Sequence, residues 1–345
     1  MRNSKWLRAF IFLALCVCIT MLLNYGFIPP DSVRINLHNL RDGSSYDTIF
    51  IGTSHGQYGI DPASVDQAAG GSSVSLCMAD AYPDDMYYLL KLACETQSPS
   101  QVVYELDPSY WMNEQRNGST QIFFYENFPP SMAKAAYFMD KIAGLDFRSA
   151  LAPWSYYRNL YGQIPQNIRI KQSAAYKDYD PSLLDIPNGS YGGRGFIYRN
   201  HVEGEDKGTF NNIPWDESQV KPKALRYFDR IVSFCRKKQI RLTVITTPVP
   251  QDTLREYAKS YYQSHVYFTE LMKSYGLEYY NFNYMKPELM ERTMDGYWDY
   301  DGHMDGVKAQ EFSAVLGRFL ADLGGRDDLS EPDDYFIHDF SSNTY

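Results

Sequence analysis

DTIFIGTSH, residues 47–55, is the stretch on which the fold turns. A polar start leads into a short, β-branched apolar run that ends on Gly52, as a strand buried on both faces reads. Residues 74–78 and 102–106 (VVYEL) read the same way. Between them DDMYYLLKLACE, residues 84–95, places its apolar residues at helical spacing, with Asp84 serving the helix start. The alternation returns further on. A helix is expected over 225–238 (LRYFDRIVSFCRKK), a strand over 241–246 (RLTVIT), a helix over 257–275, a short strand near 277–280 and a helix over 306–323. Strands alternating with helices imply a parallel sheet covered on both faces. Ligands of such sheets sit at the carboxyl ends of the strands.

Between residues 110 and 216 the pattern fails. The chain there carries paired prolines at 129–130, repeated Tyr, Asn and Gly, and NGSYGGRGF at 188–196. Only 132–142 and 156–163 read as helical pieces. This stretch, about 112–216, is expected to be an insertion roofing the sheet, with a loosely packed loop region as the plain alternative. From about 324 to 345 the sequence is acidic and poor in apolar residues, which predicts a surface tail.

The N-terminus sets the compartment. AFIFLALCVCITMLL, residues 9–23, is uncharged, and with its flanks up to residue 28 it can cross a hydrocarbon core of roughly 30 Å. Arg2, Lys5 and Arg8 precede it and the first charge after it is Asp31, so residues 1–8 are expected in the cytoplasm and 29–345 outside. A cleaved signal peptide is the competing reading, but LLNYGFIPP offers no small-x-small site. Cys16 and Cys18 read as apolar helix residues.

The 345 residues are 44% hydrophobic and 22% charged, which excludes disordered and fibrous classes. Lys and Arg number 33 against 42 Asp and Glu; without the three basic residues of the anchor, the exported part carries 30 against 42, a net charge of −12. That balance argues against nucleic acid as a partner. Cys77, Cys94 and Cys235 show no CxxC spacing and no His cluster, so neither a disulfide framework nor a metal is expected. No phosphate-binding loop is present, and no cofactor is called for. The 30 tyrosines suit either a wet aromatic surface or a sugar-binding groove.

Gly52-Thr53-Ser54-His55 places a serine at the carboxyl end of the first strand. A serine needs a base to become nucleophilic, and the base needs an orienting group. Of the six histidines, His38 lies in the juxtamembrane stretch, His201 and His265 lack a carboxylate-rich turn beside them and His338 is in the tail, whereas His303 sits in DYDGHM, residues 299–304, just ahead of the last helix. A carboxylate two or four residues before an imidazole can fix its tautomer; Asp301 is the nearer choice and Asp299 the reserve. His55 is expected to shape the entrance. Taken alone, GTSH is equally a turn cap and DYDGH a solvated turn. Their placement at opposite ends of the alternating chain favours chemistry.

At these residues the chain resembles the SGNH (GDSL-type) hydrolases, and in particular the membrane-anchored branch with the DltD-like D-alanyl-transfer proteins. DTIFIGTSHGQYGIDP (47–62) is similar to the family's first block and DYDGHMDGVKAQEFS (299–313) to its last. VVYELDPSYW (102–111) and IRLTVITTPVP (240–250) are similar to segments between. The resemblance implies an α/β, three-layer sandwich about a mostly parallel sheet, of the SGNH or flavodoxin-like kind. It implies Ser54 as nucleophile, His303 as base and a preceding Asp as acid. The position three before His303, where the family's acid usually stands, is Tyr300, so the acid is expected at Asp301 or Asp299. For the oxyanion, backbone groups around Gly52, Ser54, His55, Asp80 and Ala81 are the candidates. The implied activity is removal or transfer of an ester-linked acyl group on a cell-envelope glycopolymer, beside a membrane-bound O-acyltransferase. A non-catalytic glycan-binding or assembly component is the alternative.

Overall fold

The computed structural model describes residues 2–115, 120–203, 214–324 and 334–337. Two compact units emerge, one of Met1–His38 with Arg116–Leu184 and one of Asn39–Gln115 with Asp185–Tyr345.

The second unit is α/β. Its strands are β1 (Thr48–Ile51), β2 (Ser73–Ser75), β3 (Gln101–Glu105), β4 (Gly189–Gly193), β5 (Phe196–Arg199), β6 (Arg241–Thr246) and β7 (Tyr279–Asn281). Five of them form one parallel sheet in the order β2-β1-β3-β6-β7, and β4 with β5 forms an antiparallel hairpin. TIFI of β1 and QVVYE of β3, each buried beyond its first residue, sit inside the sheet with neighbours on both edges, which asks for a largely apolar strand. Successive residues then serve two different cores, as the strand's period of two dictates. Phe50, Val103, Ile245 and Tyr280 join a cluster with Phe312 and Phe319 of the helix Gly306–Gly324. Tyr104 instead meets Phe228 of the helix Pro222–Lys238, and Tyr279 meets Phe268 of the helix Ala258–Ser274.

The chain leaves β1 toward β2 and comes back past β1 to β3, so the order reverses between β1 and β3. Such a switch point leaves a crevice at the carboxyl ends of the two strands. Ser54 follows β1 directly and Asp107 follows β3.

The first unit holds the helix Arg2–Phe27, of which Lys5–Phe27 has a mean hydropathy of 2.3 and is long and apolar enough to cross a membrane. Shorter helices pack with its carboxyl end, among them Pro153–Gln163, a 3-10 helix, and Ile164–Gln172. The guanidinium of Arg34 lies between the rings of Tyr176 and Tyr179, at 3.9 and 3.8 Å, and His38 stacks on Tyr179.

The expected insertion, about 112–216, divides between the units: residues 116–184 cluster with the anchor helix, while 185–199 gives the β4–β5 hairpin of the sheet unit. The first part consists of helices too short for a periodic signal to declare itself, with the 132–142 segment changing from α to π geometry at Phe138. Of the acidic tail, 325–333 and 338–345 lie outside the described residues, as does His338. Tyr335 and Phe336 within the tail do not behave as surface: Phe336 pairs with Met285 and is buried against Phe282 and Phe319. Two adjacent aromatics, Tyr335 and Phe336, outweigh their acidic surroundings.

Candidate active site

The turn after β1 is set by a buried carboxylate. Glu105, at the end of β3, accepts from the Thr53 amide at 2.7 Å and from its hydroxyl at 2.9 Å. Burial pushes Glu105 above the usual carboxylate range, against the lowering effect of His55. Gly52 makes room for it, because a Cβ there would stand 2.6 Å from the Glu105 carboxylate. Thr53 then caps the helix Ser54–Gly59, its hydroxyl accepting from the His55 amide at 3.3 Å. Ser54 is thereby held as the first helical residue at the switch point.

His303 reaches Ser54 from the far end of the chain, its Nε2 lying 2.8 Å from Ser54 Oγ. Its Nδ1 is 2.7 Å from Asp299 Oδ2. Asp299 Oδ1 accepts from the amides of Gly302 and His303, each at 3.1 Å. Burial alone would raise the Asp299 carboxyl; the hydrogen bond from His303, that residue's charge and the backbone amides outweigh it and hold the group below its ordinary value. With Asp299 fixing the proton on Nδ1, Nε2 is the lone-pair nitrogen facing the serine.

The orienting carboxylate is therefore Asp299, four residues before the histidine, and the expectation of Asp301 is corrected. The cause is the turn. Gly302 takes φ +108°, and the Trp298 amide donates to the His303 carbonyl at 2.7 Å, closing a loop that carries the imidazole back over Asp299. Spacing along the sequence favours the nearer acid only when the chain runs on without reversing.

His55 does more than edge the entrance. Its Nδ1 is 3.2 Å from Asp107 Oδ2, and its ring centroid is 4.7 Å from that of His303. Asp107 in turn accepts from the Ser109 amide and hydroxyl at 2.8 and 2.7 Å. Burial disfavours a charged His55, but the hydrogen bond and charge of Asp107, with Glu105 and Asp299 behind, win, and the imidazole is pushed up to about 9. Asp107 is held low by the same pairing, against its burial. A second His–Asp pair, an imidazolium held against a carboxylate at neutral pH, thus lies beside the first.

The oxyanion candidates separate. The Ala81 amide is engaged by the Met78 carbonyl at 3.1 Å, so it is not offered to a ligand, and the Gly52 carbonyl accepts from the Met78 amide at 3.1 Å. Asp80 sits at φ +57° and its carboxylate accepts from the Tyr110 hydroxyl at 3.4 Å. Ser54 lies beside that hydroxyl, and burial, with Asp107 and Asp80 nearby, pushes it far above the ordinary phenol range. Tyr110 therefore keeps its proton beside Ser54, with that proton directed at Asp80. Sequence reasoning missed it, since a Tyr in the loop after β3 is unremarkable among 30.

On the other side Tyr58 stands edge-on to His303, with ring centroids 5.7 Å apart. The Arg199 guanidinium, at the end of β5, lies over the ring of Tyr58 at 3.8 Å and of Trp298 at 4.3 Å, with no carboxylate partner among the described residues. Stacking occupies the faces of the ion and leaves its in-plane N–H donors to meet an oxyanion. Beyond the site, His201 Nδ1 is 2.8 Å from Asp305 Oδ2. A cavity of about 50 Å³ opens at the carboxyl ends of β3 and β6, lined in part by His55, Asp107, Met112, Trp215 and Val249. Cys77, Cys94 and Cys235 are free thiols, and the described residues contain no cluster of His, Cys, Asp and Glu fit to hold a metal.

No protein-family model matches the chain, and no curated protein is significantly similar to it.

Proposed function

We propose that the chain is a membrane-anchored, extracytoplasmic serine acyl-esterase or O-acyltransferase of SGNH-like, three-layer architecture, acting on a cell-envelope glycopolymer. The observation that carries this reading is the continuous line Ser54 Oγ, His303 Nε2 and Nδ1, Asp299 Oδ2, at 2.8 and 2.7 Å, at the switch point of a parallel sheet. The motif resemblance and the basic residues ahead of the anchor helix add support for family and orientation.

In this mechanism Ser54 Oγ bonds to the acyl carbonyl carbon while its proton passes to His303 Nε2. Charge developing on the carbonyl oxygen is met by the neighbouring His55 cation and by the Tyr110 hydroxyl once it turns from Asp80. The intermediate collapses with loss of the alcohol, which takes the proton from His303. Water or a sugar hydroxyl then attacks the acyl-serine carbon, giving up its proton to His303, and the acyl–Oγ bond breaks as Ser54 takes that proton back. The first yields the free acid and the second a new ester. The small cavity beside His55 suits a short acyl group, and Arg199 suits an acceptor that bears phosphate or carboxylate.

Labelling of the full chain in detergent with a serine-reactive fluorophosphonate tests the reading. Label on Ser54 that disappears in Ser54→Ala and His303→Ala is expected. The engaged Ala81 amide favours the rival, a glycan-binding component without turnover; a folded chain that takes no label would overturn an activated Ser54 in the chain on its own and turn the search to glycan binding.

A further inference from the structure

Exposed apolar side chains are unevenly shared. Among the described residues outside the anchor helix nine large apolar side chains are exposed, and five of these, Met132, Met139, Phe147, Leu151 and Tyr161, fall between residues 132 and 161 with 54% to 84% of their surface open. Isolated exposed apolar residues need no explanation, but such a concentration on one segment marks an interaction surface.

The same segment is tied to the end of the anchor. The Lys171 ammonium donates to the carbonyls of Tyr25 and Ile28, at 2.9 and 2.6 Å. The Asn167 side-chain amide donates to the Gly26 carbonyl at 3.0 Å, and the Trp154 amide to Asn24 Oδ1 at 3.1 Å, with the Trp154 ring 5.7 Å from that of Phe27. These groups satisfy the last turn of a helix whose 23-residue apolar stretch measures about 34 Å at the α-helical rise. The end of a helix that crosses a bilayer lies at the headgroups, so whatever caps that end lies there as well. Charge agrees. Residues 120–184 hold seven Lys and Arg against five Asp and Glu, a net +2, whereas the rest of 29–345 holds 23 against 37, a net −14. An anionic leaflet repels the latter and not the former.

We propose that residues 120–184 form an interfacial collar that lies in the headgroup layer around the anchor, with Met132, Met139, Phe147, Leu151 and Tyr161 entering the lipid. The collar rests on the membrane-spanning reading of the first helix and not on the acyl-transfer reading of the sheet unit. Trp154 and Tyr161 are the side chains such a layer favours, with an apolar body and a polar handle.

The test uses the full chain in vesicles of phosphatidylethanolamine and phosphatidylglycerol, with a benzophenone amino acid at Met139, Leu151 or Tyr161 and, as control, at the exposed Tyr262 of the sheet unit. Lipid adducts at least tenfold more abundant at the first three sites than at Tyr262 are expected after irradiation. Equal yields, or adducts to protein only, would overturn the collar. Carbonate extraction of the same vesicles reads the anchor separately: a chain released by carbonate removes the premise and overturns the collar with it. Finally, Met139→Glu with Leu151→Glu should cut adducts at Tyr161 severalfold while the chain stays carbonate-resistant; unchanged yield would count against lipid contact.

Discussion

The two units differ in how many large apolar side chains they leave open. In the sheet unit Phe282, Phe312, Phe319 and Phe336 interlock, with Phe282 edge-on to Phe312 at 5.1 Å and to Phe319 at 5.4 Å, and all four are withdrawn from water. In the helical unit Phe124, Phe128 and Tyr137 are buried too, yet Met132, Met139 and Leu151 stand open. The first arrangement is what folding against water produces. The second suits a surface that meets something other than water. Chemistry that depends on sub-ångström placement belongs on the first, and there the Ser54–His303–Asp299 line is found.

The largest effect that sharpens this contrast lies at the site. Asp299→Asn should lower turnover of an activated ester by about 10⁴-fold, because the amide no longer holds the required tautomer, while Asp301→Asn stays within about tenfold of the parent. Equal losses in steady-state kinetics would show that the observed loop is not the working one. A stability comparison comes next. Leu316→Ala, in the sheet core, should cost about 2–5 kcal/mol, and Leu151→Ala, exposed in the helical unit, within about 0.5 kcal/mol, in denaturant titrations of the detergent-solubilised chain.

The third test is of pH. His55 titrates higher when folded than its ordinary 6.5, so its contribution to stability is complete below pH 6.5 and fades as pH rises through about 9. Thermal unfolding scans should show that loss in the parent, at most on the order of 3 kcal/mol, and a flatter profile in His55→Gln. A parent profile without slope in that window would separate His55 from Asp107. The smallest expected effect is at the rim. Arg199→Ala should raise KM for a phosphate-bearing acceptor by roughly tenfold, with little change for a neutral one. A uniform change would reduce Arg199 to a packing role.

The sheet was legible because its strands are buried on both faces: TIFI and VVYEL are apolar but for Thr48 and Glu105, and the helices between them carry one broad apolar stripe. Ser54 and His303 were legible for the same reason, since each stands where a strand or helix begins or ends. The acid was not. Choosing Asp299 over Asp301 required the reversal at Gly302, a property of φ and not of spacing. Tyr110 and the pairing of His55 with Asp107 were hidden because both depend on β1 and β3 being neighbours, which residue order alone does not declare. Of the helical insertion only 132–142 and 156–163 were legible, because many of its helices hold four to nine residues and present little more than two turns of a period.

Ser54 and His303 are 249 residues apart in sequence yet share one hydrogen bond. A pairing so distant forms only after the intervening sheet and its crossovers have closed, since long-range contacts come late in folding. On the acyl-transfer reading, serine reactivity would therefore be a clock for the whole sheet unit. Until the loop of Asp299 and His303 arrives, Ser54 has no base beside it, and on that reading a chain still folding would leave the esters it meets untouched.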